Sequence, residues 1–205
     1  MAKNKEEKTN VMRTLEKKKI AYTAKTYPHG EGDAIDGVSV ARAVGLEPEM
    51  VFKTLVCKGA SGGYYVFDIP VEENLDLKKA ARAVGEKSVA MLPQKELLGL
   101  TGYVHGGCSP VGMKKQFPTV FHETAEILDT ICVSAGKIGH QVELDPAVLM
   151  DFLGATAADL PPCPSAAVPA PFAVPAAALP YFSKFPYDFS LTQNITCSKI
   201  KVYRT

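Results

Sequence analysis

Tryptophan is absent from this sequence and histidine is scarce. The four histidines, at 29, 105, 122 and 140, show no i,i+4 pair and no ligand spacing, so no metal site is expected. No apolar run approaches the length of a membrane-spanning helix, which predicts no membrane partner. The opening MAKNKEEKTN is charged and lacks an apolar centre, so it does not read as a secretory signal. Cysteines stand at 57, 108, 132, 163 and 197, and none forms a C-x-x-C pair. An odd, widely spaced set fits reduced thiols in a cytoplasm better than a disulfide framework. A strong charge of one sign is also missing. The net charge is +1, with −2 on residues 1–160 and +3 on residues 161–205. Nucleic-acid-binding domains usually carry a basic surface, so any such contact must use a local patch. The richest is residues 1–25, with eight Lys/Arg against three Glu. On charge alone that stretch reads as a solvated helix face.

What is present suits one well-packed core plus an appendage. Asn10 can cap a first helix bearing Val11, Met12 and Leu15. Residues 20–27 read as a strand ending at Tyr27. Ser39 can cap a short helix that Gly45 stops. MVFKTLVCKG and YYVFDIP read as a hairpin joined by GASGG. Asn74 or Asp76 starts a helix with Leu77, Ala81 and Val84 on one face. SVAML reads as a strand, PQKELLG as a short helix, and TVFHE, TICVSAGK and GHQVEL as further strands. Asp145, Pro146 and Gly154 punctuate a last helix that buries Val148, Leu149, Phe152 and Leu153. Consecutive strands with short connections should be antiparallel neighbours. The expected fold is α+β: one domain over 1–160 with a mixed, largely antiparallel, strongly curved, barrel-like sheet flanked by short helices. Residues 161–180 are Pro/Ala-rich and read as a linker. Residues 181–205 form a tail of no assigned role.

Lys53 sits in the middle of V-F-K-T-L-V-C, where both faces of the alternating pattern are apolar. It is either an edge-strand lysine that reaches water or a lysine on the floor of a pocket, aimed at an anionic or carbonyl group. In GYVHGGCSPVGMKK, Gly106 and Gly107 carry no side chains to block a bound oxygen. Their N–H groups can form an anion-binding nest or an oxyanion hole. Ser109 offers a positioning hydroxyl and Pro110 stiffens the exit. The same pattern also suits an ordinary hairpin loop. Cys108, three residues after His105, is either a packed thiol or the nucleophile of a cysteine-dependent hydrolase. VSAGKIG, with Ser134, Gly136 and Lys137, is a second strand-to-glycine loop that lacks the spacing of a phosphate P-loop.

In order and spacing, F-K-T-L-V, L-D-L-K-K-A-A-R-A-V-G, T-G-Y-V-H-G-G-C-S-P-V-G-M-K-K, V-S-A-G-K and V-E-L-D-P resemble the YbaK family. These are free-standing relatives of the editing domain of bacterial prolyl-tRNA synthetases. The likeness runs from about residue 8 to about residue 160 and is greatest to the cysteinyl-tRNA(Pro) deacylase branch. It implies trans-editing hydrolysis of misacylated tRNA(Pro), most of all Cys-tRNA(Pro). The partners it implies are the 3′ aminoacyl end of tRNA and prolyl-tRNA synthetase. It implies no cofactor. It assigns catalysis to Lys53 and the amides of Gly106 and Gly107. Substrate contacts fall to Tyr27, Cys108, Ser109, Pro110, Ser134, Gly136 and Lys137, and tRNA phosphates to Lys114, Lys115 and the N-terminal lysines. In the chemistry it implies, the substrate's own thiol attacks the ester. Two positions depart from the family pattern: Ala135 replaces a glycine, and Gln141 stands where some members have aspartate. They leave room for a non-catalytic tRNA- or synthetase-binding paralogue.

Overall fold

A computed structural model describes residues 8–28, 30 and 36–161. They belong to one compact unit, Met1–Pro162. The expected linker beyond Pro161 and the tail at 181–205 lie outside the described residues, as do residues 1–7 and most of the 29–35 loop.

The chain opens with α1 (Asn10–Lys17), which buries Val11, Met12 and Leu15. Its cap is Thr9, one residue before the expected Asn10. The Thr9 hydroxyl accepts from the Met12 N–H, and such a cap contributes about 1 kcal/mol. Asn10 instead donates its side-chain amide to the Gly112 carbonyl. A short strand β1 (Thr23–Thr26) leads to Tyr27, whose N–H donates to the Gly139 carbonyl. Next comes α2 (Gly37–Val44), capped by Asp36 rather than Ser39. The Asp36 carboxylate accepts from the Val38 and Ser39 N–H groups and from the Ser39 hydroxyl. These bonds hold it below its usual titration range.

The central hairpin is β2 (Phe52–Gly59) and β3 (Tyr64–Pro70), paired so that Thr54 faces Asp68 and Lys53 faces Ile69. After α3 (Leu77–Ala83) come β4 (Val89–Met91), α4 (Gln94–Thr101), β5 (Thr119–His122), β6 (Ile131–Ser134), β7 (His140–Leu144), α5 (Pro146–Leu153) and β8 (Thr156–Ala158). The last strand, TAA, is too short and too plain to carry a strand pattern.

These strands form two sheets, β1-β7-β6 and β4-β2-β3-β5-β8. Four pairings are antiparallel, while β5 runs parallel to both β3 and β8. The α+β class and the mixed pairing agree with expectation. The single curved, barrel-like sheet does not: neither sheet closes, and the two meet at one parallel bridge, Val51 to Cys132. Pairing stops there because the chain before Val51 turns through a 3-10 segment, Pro48–Met50. Proline has no N–H to give to a ladder.

The main core includes Phe52, Val56, Val66, Phe121, Val133 and Val142, with α1 and α5 packed on it. The other face of β2 and β3 buries Cys57, Phe67 and Ile69 with Ala80 and Ala81 of α3. Helix α3 thus buries two alanines while Leu77 stays exposed, and α5 buries Leu149 and Leu153 but exposes Val148. Both apolar stripes are narrower than expected, because each of these two-turn helices touches its sheet over little more than one row of side chains.

Candidate active site

Strand β2 pairs with β3 along its length but with β4 only at Cys57–Gly59, so Lys53 is laddered on one side alone, opposite Ile69. Its side chain is nevertheless half-buried and lines a cavity rather than reaching freely into water. It points to the start of the strand, where a cavity of about 260 Å³ opens between α2, the end of β1, the glycine loop and the tips of β6 and β7. The Lys53 Nζ donates to the Val71 carbonyl at 3.0 Å. Its half-burial lowers its titration point, because desolvation disfavours the ammonium, and Glu73 offsets this in part. A partly dehydrated cation attracts an anionic or polarised oxygen more strongly than one in bulk water.

The glycine loop supplies the opposite wall. Its base is strapped by Tyr103, whose hydroxyl donates to the Val111 carbonyl at 2.6 Å. Gly106 adopts φ +79, a conformation that L side chains rarely take. Gly106 and Cys108 line the cavity. Among the described residues neither of their N–H groups has an acceptor. Gly107 behaves differently. Its N–H donates to the Val104 carbonyl at 3.1 Å, and an added Cβ would stand 3.2 Å from the Ile138 nitrogen. Its lack of a side chain lets the two glycine loops pack together, and its amide is not free to serve as an oxyanion donor.

Tyr27 and Ser134 also line the cavity. The Ser134 hydroxyl accepts from the Gly136 N–H. Four other expected contacts stand elsewhere. Ser109 is fully buried, with its hydroxyl accepting from the Val111 N–H. Pro110 lines a separate cavity behind the loop, beside Phe117 and Phe152. Gly136 sits against Tyr103 and Val11. Lys137 is exposed outside the cavity wall. Lys114 donates to the Leu98 and Gly99 carbonyls, a favourable place for a cation near a helix C-terminus.

Cys108 lines the cavity but is poorly suited to attack. Burial, reinforced by the nearby Asp68, pushes its thiol up to about 12, so the nucleophilic thiolate is scarce at neutral pH. Among the described residues it makes no hydrogen bond with a histidine, and His105 is exposed. His105 does line the same cavity as Cys108, but the cysteine-hydrolase alternative has neither a lowered thiol titration nor a histidine bonded to the sulfur among the described residues.

Further residues complete the wall. Asp36, Gly37 and Val40 come from the start of α2, Thr54 from β2, and Gln141 from β7. Thr54 stands next to Lys53 in the F-K-T-L motif, so its presence was readable there although its role was not. Gln141 is almost fully buried, with its carbonyl oxygen 3.9 Å from the Cys132 sulfur.

A family model for the aminoacyl-tRNA editing domain matches residues 33–152. An Enterococcus faecalis protein, provisionally named Cys-tRNA(Pro)/Cys-tRNA(Cys) deacylase EbsC, is 45% identical over 161 residues. That match covers 78% of this chain and 98% of the relative. Among solved structures, a provisionally named trans-editing enzyme for prolyl-tRNA synthetase is 28% identical with a TM-score of 0.65. It aligns over 75% of this chain and 96% of its own. The structure of a hypothetical protein, 21% identical with a TM-score of 0.67, shares the fold over 74% of this chain and 98% of its own.

Proposed function

The chain belongs to the aminoacyl-tRNA editing domain family, and from that premise we propose that it is a trans-editing deacylase that clears misacylated tRNA(Pro), foremost Cys-tRNA(Pro). The observation that carries this reading is the shared cavity. Among the described residues the Gly106 and Cys108 amides have no acceptor, and Lys53, Gly106 and Cys108 line one space of about 260 Å³. That is near the lower end of small-molecule pockets, roughly 300 Å³. It suits one aminoacyl group, with the ribose and the rest of the tRNA at the mouth.

The chemistry needs no nucleophile from the protein. The substrate thiol attacks its own ester carbonyl and the carbonyl oxygen gains charge. The C–O bond then breaks, the ribose oxygen takes up the proton the thiol has lost, and the amino acid departs as its thiolactone. The Gly106 and Cys108 N–H groups are the donors for that oxygen, with Cys108 in place of the expected Gly107. Fixed amides aimed at developing charge lower the barrier without reorganising. Lys53 holds the ester end or the terminal phosphate as a point charge. Tyr27 walls the pocket, Ser134 borders it, and exposed lysines such as Lys115 contact tRNA phosphates. Selection after transfer is needed because a size difference of about one methylene discriminates by only about 1–3 kcal/mol.

Wild-type protein should release cysteine from Cys-tRNA(Pro). Lys53→Ala should abolish release, while Cys108→Ala should keep most of it. Loss of turnover in Cys108→Ala with full activity in Lys53→Ala would show the site to be wrongly assigned.

A further inference from the structure

One fully buried carboxyl beside this cavity takes no part in the chemistry above. Asp68, on β3, is fully buried, and its Oδ2 has no hydrogen-bond partner. Its Oδ1 accepts from the Thr54 hydroxyl at 2.6 Å across the β2–β3 ladder. Thr54 in turn lines the cavity. The groups that act on Asp68 are few. β2 presents Thr54, the glycine loop presents the Cys108 thiol, and β5 presents Phe121 at the paired position. Lys53, next to Thr54 on β2, lines the same cavity.

We propose that Asp68 is a positioning residue that turns the Thr54 hydroxyl into a hydrogen-bond acceptor for a neutral side-chain donor, S–H or O–H, on the bound aminoacyl group. An ionised carboxylate can only accept. The Thr54 proton is then committed to Asp68, and the lone pairs of its oxygen are left for the cavity. A protonated Asp68 can itself donate its O–H to the Thr54 oxygen, and the Thr54 proton is then released toward the cavity. A neutral donor is favoured over the substrate's α-ammonium because Lys53 shares the cavity, and like charges repel there. The titration of Asp68 near 7, raised by desolvation, puts this change of polarity close to neutral pH.

This inference rests on the deacylase reading for the identity of the ligand, so its test measures binding separately from turnover. The probes are 3′-amino-3′-deoxyadenosine linked through an amide to cysteine or to alanine. Calorimetry with the full chain is run at pH 5.5 and pH 7.5, below the ordinary cysteine titration at about 8.5. At pH 7.5 the wild type should prefer the cysteinyl probe. Thr54→Val should lower affinity for that probe about three- to tenfold, as expected for one neutral hydrogen bond, and leave the alanyl probe unchanged. Thr54→Ser should restore the preference, which separates a lost hydroxyl from a misfolded chain. Asp68→Asn should make the preference independent of pH, and should add nothing in the Thr54→Val background.

Equal losses for both probes, additive effects of the two substitutions, a pH-independent preference in the wild type, or no binding of either probe would each overturn the inference. Turnover distinguishes the two levels. If the wild type hydrolyses Cys-tRNA(Pro) while the binding pattern fails, the inference falls and the deacylase reading stands. If the binding pattern holds without hydrolysis, the deacylase reading falls and the inference stands.

Discussion

A buried carboxyl with one partner should leave a mark on stability that can be measured without any substrate. Asp68 titrates at 3.8 in the unfolded chain and is raised to about 7 in the fold by desolvation, against the opposing Thr54 hydrogen bond. Between those two points the native state holds a proton that the unfolded chain has released. The Asp68 contribution is therefore fully present below about pH 4 and is lost as pH rises through 7. At about 1.4 kcal/mol for each pH unit between the two titration points, the full loss is on the order of 4 kcal/mol, and more than half of it falls between pH 5 and pH 8. Asp68→Asn keeps an oxygen for Thr54 and removes the titration. Its unsatisfied amide costs about 1–3 kcal/mol, but that cost does not change with pH. Urea unfolding of the wild type and Asp68→Asn at several pH values isolates the effect, because every other titrating group cancels in the difference. The variant should gain on the wild type steadily from pH 5 to pH 8. A difference that stays flat across that range would refute the argument and place the Asp68 carboxylate in contact with water.

Two further outcomes follow from the packing of the loops. Gly136→Ala combines φ +83 with an added Cβ 2.7 Å from a Tyr103 ring carbon, so it should cost about 2–4 kcal/mol in chemical denaturation; Gly45→Ala, at φ +72 with open space around it, should cost only about 1–2 kcal/mol. Cys108, with its thiol pushed up to about 12, should resist iodoacetamide at neutral pH under conditions that label it fully in urea, as read by mass spectrometry; rapid labelling of the folded chain would restore the thiol as a candidate nucleophile.

Much of the fold was legible because its signals are local. The Asp145-Pro146 start and Gly154 stop of α5, the GASGG turn between β2 and β3, and the apolar row of α1 all depend on neighbours within a few residues. Caps were readable in kind but not always in position. Thr9 rather than Asn10, and Asp36 rather than Ser39, accept the free N–H groups, because several small polar residues compete at each helix start and the approach of the chain decides among them. Strand β8 was missed because three small residues carry no alternation. They become a strand only because β5 offers a free edge beside them.

For the candidate site, the sequence by itself determined the chemical inventory: a lysine within an apolar strand, bare glycine amides, and a motif order that resembles one family. Those follow from residue type and spacing, which are properties of the chain before it folds. Only the tertiary structure decided which of these groups share a cavity. It placed Gly107, Ser109, Pro110, Gly136 and Lys137 in packing or on the outside, and it set Thr54 on the cavity wall with Asp68 buried behind it. The physical reason is that an amide or a carboxylate acts according to what else satisfies it. Its competing partners, Val104 for one and Thr54 for the other, arrive from positions that sequence spacing does not bring together.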